Sequence, residues 1–413
     1  FNNDKPYNRF VLEQLAGDEL TDASSETVIA TGFYRLGPWD DEPADPQQDR
    51  SDQLDDLIRT TSEVFLGMTL GCARCHNHKF DSLSMHDYYR MSAIFDGLQR
   101  PQNGRTELDW PAGSSQQVAA LAKRDRDIAA AQAKIKQLQS AFRVKFLTDG
   151  NSSLPPEALL AIRTEPGKRT AAQNTLAGQH TAALEKEIQA ALPEVTRKQI
   201  AALEQNITQL RKTTPDLPRG YFMTEPSPKV AASHLLLRGR ASNPGPQVQP
   251  GLPTVLEAVQ PQFPQSTNRT TQRRLTLAGW VARSENPLTA RVIVNRIWQR
   301  HFGLGLVRTP NDFGVLGDPP THPELLDWLA NWFVHDANWS LKRLHRLILT
   351  SNTFRMSKQW NAEYGEADPT NQFCWRFPYT RLEVEAIRDS MLAVSGKLNR
   401  KMYGPSTYLY VPK

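Results

Sequence analysis

The feature that most restricts what this chain can be is one short run of residues, Gly71-Cys72-Ala73-Arg74-Cys75-His76. Two cysteines three positions apart lie on one turn of chain, so their thiols can each add to a vinyl group of the same porphyrin. The imidazole of the next residue can then bind the iron from the proximal side. The spacing therefore predicts a covalently attached c-type haem, with Cys72 and Cys75 as its anchors and His76 as its iron ligand.

Two other interpretations of the same side chains stay open. A close cysteine pair can be a redox disulfide, but the flanking sequence lacks the βαβ pattern of a thioredoxin-like unit. Zinc can bind thiolate and imidazole together, which here means Cys72, Cys75 and one or both of His76 and His78. Structural zinc sites usually draw two ligands from each of two separated knuckles, and the sequence has no second cysteine pair. Haem is the preferred interpretation and zinc is the alternative.

Composition narrows the class of protein. At 413 residues the chain is long enough for two or three domains with their own cores. Its net charge of +5 comes from 49 basic and 44 acidic residues that are interleaved, which does not favour a nucleic-acid-binding protein. The sequence contains no apolar run long enough to predict a membrane-spanning helix. The third cysteine, Cys374, is predicted to be a buried and inert thiol.

The first hundred residues predict three helices around the cysteines. Residues 1–20 carry apolar side chains at helical spacing, and a second helix is expected from Asp52 towards the cysteines. Residues 45–53 are polar and are predicted to form an exposed loop. The apolar stretch 57–68 is predicted to cover one face of a flat cofactor, and residues 85–95 form the third helix.

A change of composition marks an insertion at residues 114–213. This stretch is rich in Ala, Gln, Lys and Glu, and its apolar residues recur at spacings of three and four. Residues 151–156 are the natural break between two arms. The pattern predicts a long antiparallel helical hairpin that protrudes as a spacer or docking surface.

The whole chain is thus predicted to be a mainly α, multidomain protein with a small β component. Residues 1–113 form a haem-motif, cytochrome c-like domain, and 114–213 the hairpin insertion. Residues 214–265 are a proline-rich segment with short strands that wraps over a neighbouring domain. Residues 266–413 form a helical C-terminal domain, which is expected to be truncated because the chain starts without Met and stops where a strand begins.

Several long stretches resemble one family. They are Leu66-Gly67 through Phe80-Asp81, Asp87-Tyr88-Tyr89, Asn295-Arg296 through Gly314, and Thr321-His322-Pro323-Glu324 through Leu329. Together they resemble the planctomycete cytochrome C family, in which a haem-motif domain is followed by a companion C-terminal domain of unknown function. The resemblance implies a predominantly helical, multidomain protein outside the cytoplasm, and it implies no substrate. Many relatives carry Asp where this sequence has Asn77, and both side chains suit a turn.

Further site residues follow from the haem interpretation. Arg74 lies between the anchors and is predicted to neutralise a propionate. His78 is too close along the chain to reach the opposite face of the iron, so it is assigned a supporting hydrogen bond. His301 and His322 are the leading candidates for the second axial ligand because both lie in the family-like stretches. A haem iron with ligands on both faces would transfer electrons, whereas an iron with one open face could bind a small molecule.

A second group of polar residues provides acid, base and anion-pairing groups for chemistry on an organic substrate. The candidates for catalysis are Arg291, Asp312 and His322; helix-capping and ion-pair roles explain these residues equally well.

The sequence therefore predicts an extracytoplasmic, periplasmic c-type cytochrome that transfers electrons. It would be part of an oxidoreductase acting on an unidentified substrate such as a carbohydrate. Its expected partner is a redox protein or another cytochrome domain, and neither nucleic acid nor a membrane span is expected. The alternatives are a non-enzymatic assembly protein that docks a partner through the hairpin, and a zinc-stapled domain without redox chemistry.

Overall fold

A computed structural model describes residues 1–38, 40, 42–100, 110–225 and 227–402 of the chain. Within these ranges it contains fourteen α-helices and two small antiparallel sheets of two strands each. The predicted mainly helical fold with a small β component is therefore confirmed. The described part of the chain contains no helix that is both long and apolar enough to cross a membrane.

Four helices precede the insertion: α1 (Tyr7–Ala16), α2 (Ser25–Ala30), α3 (Pro46–Leu66) and α4 (Met85–Phe95). The expected exposed loop at 45–53 is wrong, because α3 already begins at Pro46. The Asp45 side chain caps it by accepting hydrogen bonds from the amides of Gln47 and Gln48, both at 3.0 Å. Proline is well placed at the first helical position, where its missing N–H is not needed.

The insertion is a helical hairpin closed at its base by a small sheet. Its elements are β1 (Trp110–Pro111), α5 (Ser115–Thr148), α6 (Pro156–Arg163), α7 (Ala171–Ala191), α8 (Glu194–Thr213) and β2 (Arg219–Gly220). The outgoing arm is the single helix α5, while the returning arm is broken into three helices. Strands β1 and β2 pair antiparallel, and the Ala112 amide donates to the Pro218 carbonyl at 2.7 Å. The predicted antiparallel hairpin is confirmed, and its two ends leave the rest of the molecule side by side.

A second small sheet follows the hairpin. Strand β3 (Ser233–Leu236) pairs antiparallel with β4 (Pro244–Val248), with Ser233 opposite Val248. Strand β3 packs on α4, so this sheet lies next to the helix that follows the cysteine motif.

The C-terminal region is helical, as predicted. Its helices are α9 (Arg273–Ala282), α10 (Thr289–Phe302), α11 (Pro323–His335), α12 (Leu341–Thr350), α13 (Ala362–Ala367) and α14 (Val384–Val394). The six-residue helices α2 and α13 were not predicted, because helices this short show too few turns for a periodic pattern.

One buried cluster joins the two ends of the chain. Helix α1 packs on α9, and α10 packs on α3. Val11 and Leu15 of α1 are fully buried, as are Leu277 and Val281 of α9. All four belong to the same continuous core, although about 260 residues separate the two helices in sequence.

A buried charge network lies inside this core. Arg274 has no exposed surface, and its guanidinium lies 2.7 Å from Asp18, 3.2 Å from Glu19 and 3.0 Å from Glu225. Burial raises the pKa of Glu19 to about 7, the charges of Glu225 and Asp18 add to the rise, and Arg274 opposes it. One cation thus faces three carboxylates that come from two distant parts of the sequence.

Candidate cofactor-attachment site

Cys72 lies on a short 3₁₀ helix, Leu70–Arg74, between α3 and α4, and Cys75 and His76 follow directly after it. Leu70 and Ala73 point into the core and are fully buried. Cys72 and Cys75 are exposed, and their thiols are free. The backbone of the turn is thus anchored by apolar side chains, while both cysteine residues are exposed.

The imidazole of His76 is oriented by the chain itself. Its Nδ1 lies 2.7 Å from the carbonyl oxygen of Asn77. Because a carbonyl can only accept, Nδ1 carries the proton, and in the neutral ring the lone pair is on Nε2. Metal-binding histidines commonly donate one ring N–H to a backbone carbonyl and bind with the other nitrogen. His76 is exposed and already has this arrangement.

His78 has the opposite arrangement. Its Nδ1 accepts a hydrogen bond from the Asp81 amide at 2.9 Å, so in the neutral ring the proton is on Nε2, which lies 3.2 Å from the Thr69 hydroxyl. Both ring nitrogens of His78 are therefore engaged, and the ring connects Thr69, before the cysteines, with Asp81, after them. A zinc site that used His78 would have to break these contacts.

Neighbouring elements hold the rest of the loop. The Asn77 side chain accepts a hydrogen bond from the Met85 amide at 3.0 Å, which connects the motif to the start of α4. The Tyr89 hydroxyl lies 3.0 Å from the Arg74 carbonyl and 3.1 Å from the Leu236 carbonyl. Helix α4 and strand β3 therefore fix the backbone between the two cysteines.

Arg74 is paired with carboxylates of α3. It forms an ion pair with Asp52, and its Nη1 lies 3.3 Å from Asp55. Asp55 is buried and also accepts from the Tyr88 hydroxyl at 2.8 Å. The predicted contact between Arg74 and a propionate would compete with these two carboxylates. This pairing was not predicted from the sequence, although Asp52 and Asp55 lie three positions apart on one face of α3.

The apolar stretch before the motif is also already in use. Phe65 and Leu66 are buried in the core, and the Phe65 ring lies 5.9 Å from that of Phe33. The stretch that was predicted to cover a cofactor therefore packs against protein side chains.

A loop from the C-terminal region borders the motif on one side. The Phe313 amide donates to the Gly67 carbonyl at 2.8 Å, and the Val315 amide donates to Asp81 at 2.7 Å. Asp312 shapes this loop by accepting from the Gly314 amide at 2.8 Å. The N-terminal and C-terminal regions thus meet directly beside the cysteines, where the Asp312 side chain stabilises a turn.

Gly239 borders the motif on another side. Its φ of +69° lies in the left-handed region that favours glycine, and a Cβ there would come within 2.8 Å of the Cys75 sulfur. A glycine is therefore required for the chain after β3 to pass this close to Cys75.

The predicted distal ligands lie among the C-terminal helices. His301 Nε2 is 2.8 Å from His345 Nδ1, and burial together with His345 lowers the pKa of His301. His322 is at the start of α11, with its Nδ1 3.0 Å from the Thr321 hydroxyl. In the part of the chain that the structure describes, the hydrogen bonds and ring contacts of neither histidine reach Cys72, Cys75 or His76. A second axial ligand from this pair stays a prediction.

The three candidates for catalysis are engaged separately. Arg291 forms an ion pair with Asp327 at 2.6 Å on the surface, Asp312 lies in its turn, and His322 begins α11. No contact within the described ranges joins any two of them. Among those residues there is also no group of three or more His, Cys, Asp or Glu side chains placed to hold a metal ion.

Two family models match the chain. Residues 1–100, which include the cysteine motif, match PSCyt2, a protein family of unknown function (DUF1549). Residues 273–413 match PSD1, also a protein family of unknown function (DUF1553). No curated protein and no solved structure matches the chain. The two segments that share one core and meet at the cysteine motif are therefore similar to the PSCyt2 and PSD1 families.

Proposed function

We propose that this protein is an extracytoplasmic c-type cytochrome that transfers electrons as part of an oxidoreductase. Cys72 and Cys75 would carry the haem through thioether bonds, and His76 would be its proximal ligand. The observation that carries the proposal is the state of His76, whose Nδ1–H is held by a backbone carbonyl while its Nε2 is free to bind beside two exposed thiols.

The residues present fit such a group. Both cysteines are exposed and their thiols are free, which suits attachment of a porphyrin from the solvent side. The bound haem would supply one-electron chemistry at its iron. The hydrogen bond from Nδ1 to Asn77 keeps the His76 ring in place and makes its Nε2 a stronger donor.

The proposed location and partners follow from this chemistry. Thioether attachment of haem takes place on the export side of the membrane, which favours a periplasmic or other extracytoplasmic location. The electrons would come from oxidation of a carbohydrate or another environmental compound and pass to a redox protein or a further cytochrome domain.

The test is a visible spectrum of the full chain produced together with a haem-maturation system. We expect Soret and α bands, and haem that stays with the polypeptide on a denaturing gel. The double variant Cys72→Ala/Cys75→Ala should lose the covalent haem. Cys374→Ala, which removes the third cysteine, is the matched control and should keep it.

A second pair of measurements separates attachment from iron binding. His76→Ala should change the spectrum of bound haem, and added imidazole should restore it. The proposal fails if the mature wild-type protein has no haem bands, or if metal analysis finds stoichiometric zinc and no iron.

Docking of a partner through the hairpin is the second candidate function. The observation in its favour is that residues 114–213 form a separate helical arm, attached at a base where its two ends pair in the β1–β2 sheet. A variant without the arm should then lose its partner but keep covalent haem, whereas the electron-transfer proposal alone predicts no loss of partner binding.

A further inference from the structure

A cavity of about 380 Å³ lies at the far end of the C-terminal region, between the end of α10 and residues 370–380. Its volume is in the range of sites that bind small organic molecules. The cavity involves none of the residues of the cysteine motif, so an inference from it is independent of the proposed function.

One wall of the cavity is apolar. Trp298 and Phe302 of α10 line it, and their rings stack with centroids 4.3 Å apart. The loop that follows α10 is fixed by the buried Asn295, whose side chain accepts from the Val307 amide at 2.8 Å and donates to the Val307 carbonyl at 2.9 Å. This wall is therefore formed before any ligand arrives.

The charged part of the lining is basic. Arg308 and Arg376 line the cavity, and none of its lining residues is acidic. Neither arginine has an ion pair among the residues that the structure describes, and Arg376 has a buried Nε without a hydrogen-bond partner. A buried donor without a partner calls for an explanation such as a missing ligand atom.

Asp368, a carboxylate of the same segment, has its side chain engaged in a turn. Asp368 accepts hydrogen bonds from the amides of Gln372 at 2.9 Å and Phe373 at 2.8 Å. The Asn371 side chain in turn holds the backbone of Arg376, with its oxygen 3.2 Å from the Arg376 amide. The Arg376 guanidinium lies over the rings of Trp360, Trp375 and Tyr379, 5.2–5.8 Å from their centroids. Arg308 donates to the Thr370 hydroxyl at 3.5 Å, so among the described residues both cations have partners but neither has a carboxylate.

We propose that this cavity binds a small organic anion, with its carboxylate on Arg308 and Arg376 and its apolar body against Trp298 and Phe302. Guanidinium groups bind carboxylates through paired, charge-assisted hydrogen bonds, and the aromatic wall excludes water from the other end of the ligand. An anion without an apolar body would leave that wall uncovered.

Cys374 provides a local readout because it also lines the cavity. Burial, followed by the charge of Asp368, raises the pKa of this thiol, so it reacts slowly and a ligand beside it should slow it further. The experiment measures the rate at which iodoacetamide modifies Cys374 in the full chain. Mass spectrometry of the peptide distinguishes this residue from Cys72 and Cys75.

The probes are benzoate, its neutral counterpart benzamide, and inorganic phosphate. We expect benzoate to protect Cys374, benzamide to protect it much less, and phosphate to be intermediate or weak. Arg308→Gln and Arg376→Gln should each raise the benzoate concentration needed for half protection by about tenfold, the effect of losing one charge-assisted contact. Arg346→Gln, an exposed arginine on α12, is the matched control and should change nothing.

Three outcomes would overturn the proposal. Benzoate without any effect on Cys374 excludes the site, and equal protection by benzamide excludes the role of charge. Phosphate that protects as well as benzoate excludes the apolar half of the recognition. Arg308→Gln and Arg376→Gln are tested separately, with their thermal unfolding recorded, so that a failure of one variant to fold leaves the other to decide.

Discussion

His76 and His78 are two positions apart in the sequence, yet in the neutral rings the proton is on Nδ1 of His76 and on Nε2 of His78. His76 donates from Nδ1 to a carbonyl and presents Nε2, while His78 accepts at Nδ1 and uses Nε2 within the loop. The spacing of Cys72, Cys75 and His76 predicts covalent haem, and the supporting role assigned to His78 at such a site stays a prediction. The sequence cannot predict the tautomers, because these depend on which backbone groups the folded loop brings to each ring.

The raised pKa of Glu19 predicts that the free energy of unfolding depends on pH. Its pKa rises from 4.5 to about 7 on folding, so its contribution to stability is fully present below pH 4.5 and is lost as the pH rises through about 7. We expect Glu19→Gln to flatten the pH dependence of the free energy of unfolding over this range, by on the order of 3 kcal/mol between its ends. Urea titrations of the wild type and the variant at several pH values measure this difference in the free energy of unfolding.

The control for this experiment is Glu204→Gln, at an exposed position on α8. It should leave the pH dependence of the free energy of unfolding unchanged. An unaltered slope in Glu19→Gln would show that the carboxyl is ionised in the buried network throughout this range.

Two glycines should respond to alanine in opposite directions. Gly67 ends α3 with φ +58°, and a Cβ there would come within 2.7 Å of the Phe313 ring. We expect Gly67→Ala to lower the free energy of unfolding by about 1–3 kcal/mol. Gly279 lies inside α9 with nothing within 4 Å of an added Cβ, so Gly279→Ala should raise it by about 0.5–1 kcal/mol. Denaturant titration of both variants checks the sign of each change.

At the scale of elements, long helices were predictable and their ends were not. The periodic stripes of the insertion correctly predicted two arms, since a pattern repeated over many turns is hard to mistake. The start of α3 was missed even though Asp45 and Pro46 form a recognisable cap and first turn. The 3₁₀ helix that carries Cys72 is too short to leave any period in the sequence.

The β1–β2 base predicts that the hairpin can be removed. Because Ala112 hydrogen bonds to Pro218, a short turn can replace residues 114–216 without moving the chain on either side. We expect the shortened protein to keep its thermal unfolding midpoint within a few degrees and to keep the cysteine motif. Loss of a cooperative transition would mean that the arm supports the core.

For the whole molecule, the sequence could not show which segments share a core. Residues 1–113 and 266–413 were predicted as separate domains from composition and helical pattern. One cluster of buried side chains includes residues from both segments. They come from α1, α3, α4, α9, α10 and α11. Contacts across this sequence separation leave no local signal, so only the folded chain reveals them.

This shared core predicts that a cut in the hairpin leaves the two parts together. Lys168 is exposed between α6 and α7, which makes it a site for limited trypsin cleavage. We expect the two fragments to elute together in gel filtration and to separate only in denaturant. Fragments that separate in native buffer would contradict the single core.

The interleaving of the two ends also sets an order of events. While residues 100–273 are being synthesised, α1, α3 and α4 lack the helices that bury their apolar faces. At typical rates of synthesis this interval lasts about 10–30 s. On the export side, where we propose that haem is attached, the stretch around Cys72 and Cys75 would likewise be accessible to a haem-attaching enzyme until α9 and α10 arrive, and their arrival would then close the core beside the finished attachment.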